Sequence, residues 1–459
     1  MTTLRRRPAV RCTLLAGTVG ALLLAGAPSA LARGGGGSSG FGGGGGGFGG
    51  GGRGGGGFFF FGGGGGGGGG AVLFVIILIV VIVVVVGAVV GRIRYQRKRA
   101  ARERRVELAA AEAAEEDPAF APATVHAEAS RLFKDVQKAW SAGDRDRLAH
   151  LAGPDVMREW TRRLDDFARR GWRNQVEVLS GPRVEYVGLV NRGDESQNHV
   201  VVRVEAWLRD EVIDSYGRVI PRNEGRTEMS MSEYWTLGEH NGHWIVVSIE
   251  QGQEGDHQLD EAIVATPWAD TTRLNEQAMV EQAVSDRLPD DVKVAEIAPA
   301  DFAGDARVAA MDISVVDGRF APDVLAAEVR RAVEAWAEAV DGDDSDLLRR
   351  AAPEAVSQLL HPNDPLARTR LVVRGPQVQE VRIAALDPKA DPPTMAVELK
   401  IQGRRYIEDR DTAAVLSGSQ QRTTTFHERW TLALEGDEDR PWRIVDVNAP
   451  APRSHAGGL

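Results

Sequence analysis

At 459 residues, with a formal net charge of −10 and one cysteine, the chain has room for two or three domains and cannot be a disulfide-stapled fold. The charge is unevenly divided: residues 1–105 hold fourteen Lys and Arg against one acid, a net +13, which leaves −23 on residues 106–459. An acidic remainder argues against nucleic acid as the ligand, because phosphate binding needs a basic face; it suits ordinary solubility or an acidic docking face.

Residues 1–32 read as a signal sequence. Arg5, Arg6 and Arg7 open it, Leu14 to Ala27 form an apolar core, and Ala30-Leu31-Ala32 offers small residues for cleavage. Cys12 precedes that core, so it does not read as lipidated, and cleavage would leave no thiol for a nucleophile or a thiolate metal site. Residues 33–70 are nearly all glycine, broken by Phe41, Phe48 and Phe58–Phe61. Glycine buries nothing and loses the most entropy on ordering, so this segment is expected to be a disordered tether.

Residues 71–91, AVLFVIILIVVIVVVVGAVVG, carry neither charge nor proline. At about 1.5 Å per residue they reach roughly 30 Å, one hydrocarbon core. A helix bonds every backbone group within the segment, as lipid demands, so a transmembrane helix is predicted. Arg92, Arg94, Arg97, Lys98, Arg99, Arg102, Arg104 and Arg105 crowd its exit against Glu103. That asymmetry puts the carboxy-terminal side in the cytoplasm and the glycine-rich segment outside. The collar is also expected to meet anionic lipid headgroups, at about 1 kcal/mol per residue. Residues 92–121 as a whole read as a solvated helical stalk, stopped by Asp117-Pro118 and Pro122.

A globular pattern fills residues 122–258. Val125, Ala129, Leu132, Phe133, Val136, Ala139 and Trp140 fall on one helical face, which Gly143 ends. A short helix with Leu148 follows, then one opened by Gly153-Pro154 with Val156, Trp160, Leu164 and Phe167 inward, closed at Gly171. Strand patterns take over at Val176–Leu179, Val184–Val190, His199–Ile213, Arg226–Leu237 and Trp244–Ile249, with Asn191-Arg-Gly-Asp and Asn241-Gly242 as turns. Helices followed by a meandering sheet mean α+β. Residues 259–316 read as a connecting segment with a modest stripe of Leu274, Ala278, Met279 and Ala283.

Residues 317–450 repeat that order, and residues 451–459 read as a disordered tail. Gly143 to Pro154 spans the same distance as Gly342 to Pro353, with Leu148 and Leu347 at equivalent places, and Trp336 stands one turn from strict alignment with Trp140. Gly181-Pro182 is echoed by Gly375-Pro376. The run Glu233-Tyr-Trp235-Thr236-Leu237 is echoed by Glu428-Arg-Trp430-Thr431-Leu432, each followed by a turn and Trp244 or Trp442. In E-x-W-T-L the Glu, Trp and Leu alternate onto one strand face, which makes Trp140, Trp160, Trp235, Trp244, Trp430 and Trp442 candidate core or cavity residues. A buried Glu233 or Glu428 needs a hydrogen-bond donor.

Helix–Gly-Asp–helix–Pro followed by E-x-W-T-L, a turn and W-I-V resembles the nuclear transport factor two-like superfamily of cone-shaped α+β domains. With a membrane anchor, glycine-rich tract and basic stalk, the chain resembles bacterial Tim44-like proteins, which are similar to the scaffold subunit of the mitochondrial inner-membrane protein translocase. The resemblance covers about residues 123–258 well and 317–449 more weakly. It implies two tandem cones behind a single span of a bacterial cell membrane. It also implies a noncatalytic scaffold for a protein partner, with a link to protein translocation or membrane-associated assembly.

No cofactor is expected: the chain has no G-x-x-x-x-G-K-[ST], H-E-x-x-H or G-x-S-x-G motif. His240 and His243 flank a tight turn without an evident third ligand, so no metal site is expected. Two other readings are kept. One is a small-ligand sensor using the cone cavity; the other is an isomerase- or dehydratase-like enzyme using Asp214 with Tyr216, or His427 with Tyr406.

Overall fold

The computed structural model describes residues 69–221, 227–289, 292–297, 305–341, 344–437 and 439–447, with side chains from Leu78 onward. The expected signal sequence, the glycine-rich segment through Gly68, Gly342 and the tail lie outside the described residues.

A single helix, α1 (Gly69–Ala113), carries the apolar run and continues 45 residues without a break. Among the described residues it is the helix long and apolar enough to cross a membrane. Ile79, Val83 and Val86 are more than half exposed, as lipid-facing residues would be. The expected solvated stalk is corrected here: Val106, Ala110 and Ala113, one face of the same helix, are fully buried in the core of the first domain. Their spacing of three and four residues makes a narrow apolar seam, which the arginines and glutamates between them conceal in composition.

The first domain continues with a 3-10 turn (Pro118–Phe120), α2 (Pro122–Ala142), α3 (Arg145–Ala149) and α4 (Pro154–Arg170). The predicted inner face of α2 is buried throughout. Four antiparallel strands follow in sequential order: β1 (Trp172–Val190), β2 (His199–Asp214), β3 (Glu228–His240) and β4 (His243–Gln251). The two strands expected at Val176–Leu179 and Val184–Val190 are one strand, broken in register around Gly181-Pro182. Gly181 has φ +96°, and a Cβ there would come within 3.0 Å of the Glu205 carbonyl, so only glycine lets the strand bend without parting from β2. α2 packs along this strand.

A 3-10 turn (Glu254–Leu259), α5 (Thr271–Ser285) and α6 (Val294–Ile297) lead to the second domain. On α5 the buried residues are Val280 and Ala283, whereas Leu274 and Ala278 are exposed, so the inner face is rotated from the expected stripe. The second domain holds α7 (Ala306–Ser314), a 3-10 turn (Gly318–Phe320), α8 (Pro322–Ala339), α9 (Ser345–Arg350) and α10 (Pro353–Leu360). Its sheet comprises β5 (Thr369–Asp387), β6 (Thr394–Asp409), β7 (Val415–Gly418), β8 (Thr424–Ala433) and β9 (Arg443–Asp446), ordered β5-β6-β8-β9 with β7 beside β6. The architecture is α+β, two tandem domains of helices on antiparallel sheets.

Each core closes through the same aromatic joint. Asp117 caps the first 3-10 turn, Phe120 meets Trp244 edge-on at 5.5 Å, and Trp244 Nε1 donates to the Ala119 carbonyl. Asp317 caps the second, Phe320 meets Trp442 at 5.3 Å, and Trp442 Nε1 donates to the Arg319 carbonyl. A deeper pair repeats as well: Phe133 packs on Trp235 at 5.4 Å, and Trp336 on Trp430 at 6.1 Å.

Candidate functional site

The six candidate tryptophans are all buried, Trp140 and Trp160 against each other at 6.0 Å. Trp140, Trp160, Trp235 and Trp244 belong to the core of the first domain, and Trp430 and Trp442 to that of the second. Glu233 is fully buried and accepts from the Trp235 indole at 2.9 Å and the Gln251 amide at 3.2 Å, so the donors it needed come from side chains beside it. Glu428 instead pairs with Arg405 at 3.2 Å, and burial lifts its carboxyl above the usual range against that pull.

The basic collar divides. Arg92, Arg94, Arg97, Arg104 and Arg105 are exposed, free to meet lipid or solvent. For Arg99 and Arg102 the structure corrects the expected headgroup role. Arg99 Nη2 donates to Glu185 at 2.5 Å, and Arg102, 2% exposed, donates to the carbonyls of Val187 and Glu261 at 2.7 and 2.8 Å. Lys98 bonds Asp260 at 2.6 Å. Tyr95 donates to Asp256 at 2.7 Å, and Tyr234 from β3 donates to the same oxygen at 3.1 Å. The helix leaving the apolar stretch is therefore seated on the domain by a ladder of polar contacts, from Tyr95 to Arg102, before its apolar seam begins.

The segment that receives this ladder also receives the second domain. Glu254, at the start of the 3-10 turn, is 1% exposed and accepts from Arg374 Nε at 3.1 Å and from the Tyr406 hydroxyl at 2.6 Å. Arg374 grips Asp341 through both terminal nitrogens, and Asp341 also accepts from Ser248 of β4 at 2.6 Å. Beside it His257 Nε2 meets Glu250 at 2.8 Å, and Gly375 leaves room for that ring, since a Cβ there would lie 2.5 Å from His257. Burial opposes the imidazolium, but Glu250 and then Glu261 outweigh it and raise His257 to about 9.

A second cluster spans the domains beneath α4. Arg410 bonds Glu159, Arg162 bonds Asp411 at 3.0 Å, and Arg370 bonds Glu408 at 2.7 Å. Burial opposes the Glu159 carboxylate, yet Arg370 and Arg410 hold it down at about 2. Charges removed from water persist only when paired, so these contacts fix one arrangement of the two domains. Sequence reading missed them. The available signal was Arg370 and Arg374, four apart and hence on one strand face, flanking the apolar run Leu371-Val372-Val373.

Of the residues weighed for catalysis, Asp214 and Tyr216 share an exposed turn, and His427 and Tyr406 are not brought together. Asp214 accepts from the backbone of Tyr216 and Arg218 in an exposed turn where Tyr216 is 82% exposed. His427 is exposed and pairs in register with Lys400, six residues along β6 from the buried Tyr406. His240 and His243 face each other across the Asn241-Gly242 turn. A polar cleft of about 250 Å³ does lie at the junction, lined by Lys98, Asp256, His257, Gln377, Gln402 and Arg404 among others.

A family model for the Tim44-like domain matches the chain twice, over residues 106–251 and 306–449. Both matches start in the helix before the 3-10 turn, where the buried seam of α1 and the helix α7 lie. Comparison with curated proteins finds none that matches. Among solved structures, the chain is similar to the intermembrane space region of the chloroplast protein ARC6, at 10% identity and a TM-score of 0.22, over 28% of this chain and 95% of that one. It is also similar to an Ntf2-like protein involved in plasmid conjugation, at 10% identity and a TM-score of 0.17, over 72% of this chain and 99% of that one.

Proposed function

This chain belongs to the Tim44-like domain family, and on that premise we propose that it is a membrane-anchored, noncatalytic scaffold whose paired domains hold a protein partner near the lipid surface. The observation that supports this most is continuity: α1 supplies both the apolar rod and one wall of the first core. A partner held by these domains stays at the membrane, where confinement raises the effective concentration of a weak binder. A role in protein translocation or membrane-associated assembly is the finer reading that the family suggests. The exposed Arg92, Arg94 and Arg97 support placing the domains in the cytoplasm of a bacterial cell.

Crosslinking in native membranes tests the scaffold. A reproducible protein partner should be recovered with the full chain and lost when residues 124–459 are deleted; recovery of no partner counts against it. Protease added outside whole cells should spare both domains, and their digestion would reverse the topology.

A further inference from the structure

We propose that Glu103, Glu107 and His126 form a divalent transition-metal site that pins the emerging membrane helix to the first helix of the domain. Glu103 and Glu107 are four residues apart on α1 and so share a face; His126 stands on the facing helix α2. One donor atom from each converges, all within 4.8 Å of one another, with Glu107 Oε1 3.8 Å from His126 Nε2. Zinc holds such oxygen and nitrogen donors at about 2.0–2.2 Å, which puts them roughly 3.3–3.5 Å apart. Small rotations of two long glutamate side chains close that difference.

The surroundings favour a cation here. On α1, Arg99 is committed to Glu185 and Arg102 to two carbonyls, while Arg104 and Arg105 are exposed. Tyr186 adds an independent sign. It is fully buried, its hydroxyl has no hydrogen-bond partner among the described residues, and its ring stands at 88° to that of His126, 6.5 Å between centroids. Two carboxylates with one imidazole suit zinc and its neighbours, whereas calcium and magnesium prefer oxygen throughout. Three protein ligands leave a further position for water.

The test uses the full chain in mild detergent, free of any histidine tag and stripped of metal. Titration with Co²⁺ should produce visible d–d absorption that Zn²⁺ abolishes, and Zn²⁺ should raise the melting temperature where Ca²⁺ does not. His126→Ala and Glu107→Gln should each lose the band while eluting as the wild type does, and His243→Ala should keep it. Should either variant misfold, Glu103→Gln carries the same expectation. Absence of the band in the wild type, its survival in these variants, or equal protection by Ca²⁺ would overturn the proposal.

Discussion

In the first domain Trp244 bonds Ala119 across a turn capped by Asp117; in the second, Trp442 bonds Arg319 across a turn capped by Asp317. The aromatic joint is duplicated almost atom for atom, but the polar positions around it are not. Glu233 is sealed in by Trp235 and Gln251, while its counterpart Glu428, itself mostly buried, leans on the partly exposed Arg405. The helix before the joint differs most: α1 runs 45 residues and brings in the apolar rod, whereas α7 has nine and leaves Val308 and Met311 half-exposed. Packing thus holds the duplicated form, and the charged residues are free to serve anchor and junction.

The comparison breaks most severely at the joints. Trp235→Ala and Trp430→Ala should each cost about 3–5 kcal/mol in denaturant unfolding, since each empties a packed site. If the charged junction makes the domains one cooperative unit, both variants move a single transition; two separate transitions would show independent domains. Next comes the junction itself. Arg374→Met removes the guanidinium shared by the half-buried Asp341 and the buried Glu254, and leaves Glu250 to His257 alone. It should cost about 3 kcal/mol and expose the connecting segment to limited proteolysis, and an unchanged digestion pattern would contradict the latch.

The two motif carboxylates give a sharper, smaller contrast. Glu233→Gln should destabilise by about 1–3 kcal/mol, because its neighbours are buried donors. Glu428→Gln should cost less than about 1 kcal/mol, the scale of a pair open to water on one side. Equal losses would mean that the repeats use this position alike.

The mildest effect is a pH dependence. His257 is raised from 6.5 to about 9, so its contribution is complete below pH 6.5 and is lost as pH rises through about 9. Denaturation midpoints measured across that window should fall for the wild type more than for His257→Gln. Parallel curves would remove His257 from the junction.

Much of the fold is legible in the residues. The face of α2 follows from apolar spacing, the Asn241-Gly242 turn from its left-handed residues, and the repeat from E-x-W-T-L. Legibility fails where charge is involved. Residues 92–113 have the composition of a solvated stalk, because the seam of Val106, Ala110 and Ala113 is only three residues wide. Arg99 and Arg102 read as headgroup ligands, because nothing local distinguishes an arginine facing lipid from one facing a carbonyl 85 residues away.

By itself the sequence determined a charge-free helical rod, a doubled α+β domain and the tryptophans that close each copy. Apolar periodicity reports which face is hidden without saying what hides it, and that is enough for a core. Only the tertiary structure decided that Glu254 would meet Arg374 and Tyr406, that Glu159 would meet Arg410, and that the helix leaving the rod would lie on the first sheet. A buried charge is tolerable only beside its partner, and partners from distant strands and helices meet only once the domains have packed.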